Sequence, residues 1–112
     1  AKNAVRKGRD VLVAAVEDKS PSVRIIAAEA LGRYGRNSEA KRAAKVLMQY
    51  ADPAKNGICL SMYALNALDV IGEHANPHRD AIAKMARIDP KANSRMRNYA
   101  NRLIGRILSD SK

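Results

Sequence analysis

The sequence predicts an all-α fold, and within that class a short right-handed α-α superhelix of about three stacked helix pairs, six helices in all. Three observations carry this expectation. A short phrase is written three times: Val23-Arg24-Ile25-Ile26-Ala27-Ala28-Glu29-Ala30-Leu31-Gly32, then Leu60-Ser61-Met62-Tyr63-Ala64-Leu65-Asn66-Ala67-Leu68-Asp69, then Met96-Arg97-Asn98-Tyr99-Ala100-Asn101-Arg102-Leu103-Ile104-Gly105. The copies start 37 and 36 residues apart. A period of that size built on helical pattern marks a solenoid, in which each pair is stable only against its neighbours. No segment alternates polar and apolar residues over a useful length, so no strand is expected.

The elements follow in order. A first helix over 2–17 carries Val11, Leu12, Val13 and Val16, an apolar edge suited to facing an upstream repeat. The opening Ala1-Lys2-Asn3-Ala4 lacks a methionine and a signal peptide, and reads as a piece of a longer chain. Ser20-Pro21 supplies an N-cap hydroxyl and a first-turn proline, which starts a second helix over 21–34. Its apolar face is expected to be Val23, Ile26, Ala27, Ala30, Leu31 and Tyr34. Gly35 stands where a left-handed C-cap would end it. A third helix spans 38–51 and Asp52-Pro53 makes a turn. A fourth, over 56–74, is apolar nearly all round from Ile58 to Ile71, as befits the buried middle of a stack, and Gly72 marks its end. Asn66 and Asp69 interrupt that run, and it is too short to span a membrane. Asn76-Pro77 and Asp89-Pro90 repeat the capping device and open helices over 77–88 and 93–109. The last buries Met96, Tyr99, Ala100, Leu103, Ile104 and Ile107 on one face. The whole reads as one domain over 1–112, with repeats over about 1–36, 37–75 and 76–112.

Composition bounds the function. The 112 residues include 21 Lys and Arg against 11 Asp and Glu, a net charge of +10, with no Phe or Trp and four Tyr. So few aromatics argue against an aromatic-lined ligand pocket or a base-stacking platform. Positive charge concentrates at the two ends, in 1–45 and 79–112, while 46–78 is slightly acidic. Such a balance suits an anionic partner or a solvated surface. Arg95, Arg102 and Arg106 share one face of the last helix, either as an anion-binding strip or as the polar cap a terminal repeat needs.

The first repeat, from Val11-Leu12 to Val16, through Asp18 to Val23-Arg24, Ala27-Ala28 and Ala30-Leu31-Gly32, resembles a HEAT repeat. The resemblance implies that a turn Asp and a helix Arg bond to one another, here Asp18 with Arg24 and Asp89 with Arg97. Asp52 has Ser61 in the Arg position, so the ladder is expected to break in the middle. A narrower resemblance links Ser20-Pro21-Ser22-Val23-Arg24-Ile25, Ala28 to Gly35, Asn56, Ala64-Leu65-Asn66-Ala67-Leu68-Asp69, Tyr99 and Arg102-Leu103 to the helical C-terminal region of bacterial sulfatases, including N-sulfoglucosamine sulfohydrolase-like enzymes. It implies a non-catalytic accessory module, periplasmic or secreted, of an enzyme acting on sulfated glycans. The partner would be the catalytic domain of the parent chain or another protein, or a sulfated glycan. Arg24, Arg33, Arg36, Arg95, Arg102 and Arg106 are the candidate contacts.

The chain itself offers little chemistry. Sulfatases of this kind build formylglycine in a Cys/Ser-x-Pro-x-Arg motif, but Cys59 is followed by Leu60-Ser61-Met62-Tyr63, and no carboxylate cluster resembles their calcium site. Cys59 is expected to be a small core residue. Glu73, His74 and His78 lack a further ligand and are broken by Asn76-Pro77. No catalytic, cofactor or metal residue is therefore assigned. A free-standing adaptor for protein or nucleic acid remains the alternative. Nucleic acid ranks behind protein, because Ile26, Tyr63 and Tyr99 share one repeat register and such a position reads as core packing.

Overall fold

The computed structural model describes residues 2–85 and 94–110, with side chains over 8–85 and 101–109. The protein is all-α, and no strand occurs among the described residues. The helices are α1 (Lys2–Ala15), α2 (Pro21–Tyr34), α3 (Asn37–Met48), α4 (Pro53–Asn56), α5 (Ile58–Ile71), α6 (Arg79–Ala83) and α7 (Ser94–Asp110), with a 3₁₀ segment over Gly72–His78.

Local chemistry explains most boundaries. Ser20 Oγ accepts from the Val23 amide and Pro21 occupies the first turn, so α2 starts where its cap puts it. The Arg36 amide donates to Glu39 Oε1 at 2.8 Å, one half of a capping box at the start of α3. Asp52-Pro53, expected as a plain turn, caps a single helical turn, α4, through Asp52 Oδ1 and the Ala54 amide at 2.9 Å. Gly57 then breaks the chain at φ +82° before α5, a conformation that costs a glycine little.

Three boundary expectations need correction. Gly35 ends α2 in extended conformation, φ −82° and ψ 177°, not in the left-handed cap. The long fourth helix stops at Ile71, where Gly72 takes φ +64° and tighter 3₁₀ geometry follows. Pro77 lies inside that 3₁₀ segment instead of opening a helix, because the chain is already coiled when it arrives. The fifth expected helix is thereby reduced to α6, and Asp89-Pro90 lies outside the described residues.

The helices pack in two rows. α2 lies against α1 and α3 on one side and α5 on another; α5 also packs against α7, α3 and α4. α2, α5 and α7 form one row running in a common direction. Gly32, near the C-terminus of α2, meets Ile71, near that of α5, and Asp69 of α5 meets Arg106, near the C-terminus of α7. α1, α3 and the 3₁₀–α6 stretch form the other. The shortest dimension of the molecule, 18 Å, is that of two helix layers. The core between them holds Val16, Leu31, Leu47, Leu65, Leu68, Ile82, Leu103 and Ile104, each at most 2% exposed.

α7 buries Leu103, Ile104 and Ile107 as its periodicity predicts; Met96, Tyr99 and Ala100 lie outside the described side chains. α2 does not follow its expected face. Ala27 and Leu31 are buried, but Val23, Ile26 and Tyr34 are 39%, 67% and 71% exposed, and Ile25, Ala28 and Gly32 are buried in their place. The cause is that α2 has neighbours on two sides. Its small residues, Ala27, Ala28 and Gly32, let those neighbours approach closely, and its bulkier apolar residues are left on the third side.

Candidate functional site

One register of the thrice-written phrase falls on that third side of α2. On α2, Ser22, Ile26, Glu29 and Arg33 follow i, i+4, i+7, i+11 spacing, so they share one face. On α5 the same register holds Cys59, Tyr63, Asn66 and Val70; on α7 it holds Arg95, Tyr99, Arg102 and Arg106. The α5 helix is therefore not enclosed all round, although Ile58, Ala64, Leu65, Ala67, Leu68 and Ile71 are buried. Tyr63 is 62% exposed, Val70 is exposed, and Cys59 is exposed and not a core residue. Between α2 and α5 lies a shallow groove of about 320 Å³, lined by Ser22, Ile25, Ile26, Glu29, Tyr63, Asn66 and Ala67. Reading Ile26 and Tyr63 as core by shared register is thus overturned: the register is real, and it faces water.

The sequence carried a signal for this. Ser22, Glu29 and Arg33 on α2, and Asn66 on α5, are the polar members of these same stripes. A stripe mixing polar residues with Ile26 and Tyr63 is harder to bury than Ala28 or Leu65.

The candidate arginines separate into distinct roles. Arg24 is a brace and not an anion contact. Its Nε donates to the Val16 carbonyl at 2.8 Å, Nη1 to the Tyr50 hydroxyl at 2.7 Å and Nη2 to Gln49 Oε1 at 3.0 Å, and the guanidinium lies 5.4 Å from the Tyr50 ring centroid. It does not pair with Asp18, whose Oδ1 instead accepts from the Ser20 amide at 2.8 Å. Arg24 is long enough to pass the turn and reach the end of α3, so it ties α2 to the ends of α1 and α3. At the equivalent position Ser61 is too short for that. Its buried Oγ donates to the Ala51 carbonyl at 2.6 Å, so the tie to the preceding turn survives without the guanidinium. Asn56 Nδ2 adds a bond to the Gln49 carbonyl at 3.0 Å. Asp89 and the Arg97 side chain lie outside the described residues.

Arg33 and Arg36 are exposed, Arg33 with its guanidinium 5.1 Å from the Tyr34 ring centroid. Arg102 is exposed. Arg106 is half-exposed and pairs with Asp69, Nε to Oδ2 at 3.0 Å. The Arg95 side chain lies outside the described residues.

His78 is the one described group whose protonation is clearly shifted. Burial lowers its pKa from the ordinary histidine range, and the positive charge of Lys45 lowers it further. It and His74 stand four apart in 3₁₀ geometry, about 120° out of alignment at three residues per turn, and so present no common face to a metal. Among the described residues no three His, Cys, Asp or Glu side chains converge as a metal site, and no helix is long and apolar enough to cross a membrane. No family model, curated protein or solved structure matches this chain.

Proposed function

We propose that this protein is a non-catalytic interaction module, a right-handed stack of three HEAT-like helix pairs that presents the α2–α5–α7 face to a partner protein. One observation carries the reading. Ile26 and Tyr63, repeat equivalents on adjacent parallel helices, are both more than half exposed and border a common groove. Isolated exposed apolar residues are ordinary, but a row repeated at the same register is a contiguous surface of the kind partners cover. The sulfatase resemblance supplies a candidate partner, the catalytic domain of a parent chain to which this module would be C-terminal. A sulfated glycan is less well served. Of the six candidate arginines, Arg24 is committed to the Val16 carbonyl and α3, and Arg106 to Asp69.

The single cysteine makes the test direct. Cys59 sits on the same stripe as Tyr63 and is exposed. If a reading frame upstream of Ala1 encodes a Cys/Ser-x-Pro-x-Arg motif, that upstream part, supplied separately, should slow alkylation of Cys59. The double variant Ile26→Ser, Tyr63→Ser should abolish the slowing without changing the melting temperature. Unchanged alkylation in the presence of the upstream part would remove the catalytic domain as partner, and a frame without the motif would remove the sulfatase parentage.

A further inference from the structure

We infer that the groove between α2 and α5 takes a basic side chain of a partner protein, its charged head held by Glu29 and Asn66 and its apolar stem laid along Ile26 and Tyr63. This rests on the reading of that face as an interaction surface and names what the groove itself receives.

Size and lining bound the occupant. At about 320 Å³ the groove lies at the lower end of the range for ligand pockets, with room for one side chain and not for a helix. Its apolar lining runs from the buried Ile25 and Ala67 to the exposed Ile26 and Tyr63. Glu29 and Asn66, both half-buried, bring a carboxylate and an amide into that lining from opposite helices. Among the described residues neither side chain has a hydrogen-bond or ion-pair partner. Arg33, one turn on from Glu29 and on the same face, lies against its neighbour Tyr34 instead, 5.1 Å from the ring centroid.

Charge selects the chemistry. Any molecule that covers the groove takes water away from Glu29. A carboxylate removed from water is costly unless it is paired, so a cover that fits brings a positive charge and hydrogen-bond donors. A phosphate, sulfate or carboxylate is repelled by Glu29, and a purely apolar group leaves both Glu29 and Asn66 unsatisfied. Lys and Arg meet both demands. Their heads carry donors alone, suited to the Glu29 carboxylate and the Asn66 amide oxygen, and their stems cover apolar surface. The Tyr63 ring adds a face that attracts a cation. The net charge of +10 does not oppose a single positive group here. Exposed charges beyond about 8 Å are largely screened at physiological salt, whereas Glu29 lines the groove itself. That net charge does oppose a polycation, so the occupant is one basic side chain on a partner that is neutral or acidic as a whole.

The test titrates the isotope-labelled protein, read by amide chemical shifts, with short capped peptides of Ser and Leu whose central residue is Lys, acetyl-lysine or Glu. The Lys peptide is expected to shift the amides of Ile26, Glu29, Tyr63 and Asn66. It should bind about tenfold or more tighter than the acetyl-lysine peptide, which keeps the stem and loses the charge. Glu29→Gln should remove that preference at unchanged melting temperature. Arg33→Ser, which takes away a competing cation on the same face, should tighten the Lys peptide about twofold. Equal binding of the Lys and acetyl-lysine peptides overturns the inference, as does a Lys preference that survives Glu29→Gln or tightest binding by the Glu peptide. If no peptide shifts these amides while the upstream part of the chain still protects Cys59, this inference fails and the interaction face stands. If the Lys peptide binds through Glu29 while the upstream part leaves Cys59 unprotected, the groove site stands and the catalytic domain falls as its partner.

Discussion

Arg24 and His78 show how single side chains carry more than their types suggest. Arg24 was one of six equivalent-looking cations, yet its guanidinium is spent on a backbone carbonyl and on the far end of α3. Removing it leaves the Val16 carbonyl and the Tyr50 hydroxyl without their partner. We predict that Arg24→Met lowers the unfolding free energy by about 1–3 kcal/mol in urea titration, while the exposed Arg33→Met stays within about 0.5 kcal/mol of the parent. Equal effects would show that Arg24 braces nothing. For His78 the direction of the pKa shift fixes a pH dependence. Its folded pKa lies below the ordinary value of about 6.5, so as pH falls the unfolded chain takes up the proton first. The stability linked to neutral His78 is therefore fully present above about pH 6.5 and is lost as pH falls through the folded pKa. Urea midpoints measured from about pH 7.5 down to 5 should fall more for the parent than for His78→Gln; parallel curves would contradict the linkage.

At the scale of elements, the thrice-written phrase ends in Gly32, Asp69 and Gly105, and the three endings record three different neighbours. A Cβ built on Gly32 would stand 2.9 Å from Ile71 Cβ and closer still to its Cγ2, so α5 occupies the space a side chain needs. Asp69 has room for a carboxylate and takes Arg106 of the next helix. A Cβ on Gly105 meets nothing within 4 Å. The same substitution should consequently have opposite signs: Gly32→Ala destabilises by about 1–3 kcal/mol through overpacking, and Gly105→Ala stabilises by up to about 1 kcal/mol through helix propensity. Thermal melts decide it, and a loss at both positions would place an unseen neighbour against Gly105. The helix start at Ser20-Pro21 was legible because capping is a local matter of a few atoms, whereas Asp52-Pro53, read as a turn, caps the single turn of α4. The faces of α2 and α5 were not legible. Both helices carry apolar residues on nearly every side, and Ile25, Ala28 and Leu31 fit helical spacing as well as Val23, Ile26 and Tyr34 do. The choice is made by which residues are small enough to let α3 and α5 close in. α7, apolar on one side only, offered no such ambiguity.

At the scale of the whole molecule, stability need not be uniform, because the helices differ in how many neighbours cover them. α5 touches α2, α3, α4 and α7, whereas α1 leans mainly on α2 and leaves Val11 67% exposed. The slightly acidic middle and the basic ends follow the same gradient: charge is scarce where helices are covered on several sides and plentiful where they face water. The all-α class and the placing of charge were legible, because helical pattern and charge distribution are properties of the chain read end to end. The exposed side of α2 and α5 was not, since it depends on which third of each helix the packing leaves over. Native-state hydrogen exchange measures the gradient directly. Amides of α5, above all those of Ala64, Leu65 and Leu68, should exchange slowest and approach the global unfolding free energy. Those of α1 before Val11 should exchange fastest of the helical amides, through local fraying that leaves α2 and α5 intact. The Ile26/Tyr63 double variant should leave this profile unchanged, because those side chains hold no helix to another. If exchange instead proved uniform from α1 to α7, the molecule would open as one unit and the neighbour-by-neighbour account would be wrong. If the double variant loosened α5, the groove would be part of the core after all, and a partner would have no free face to occupy.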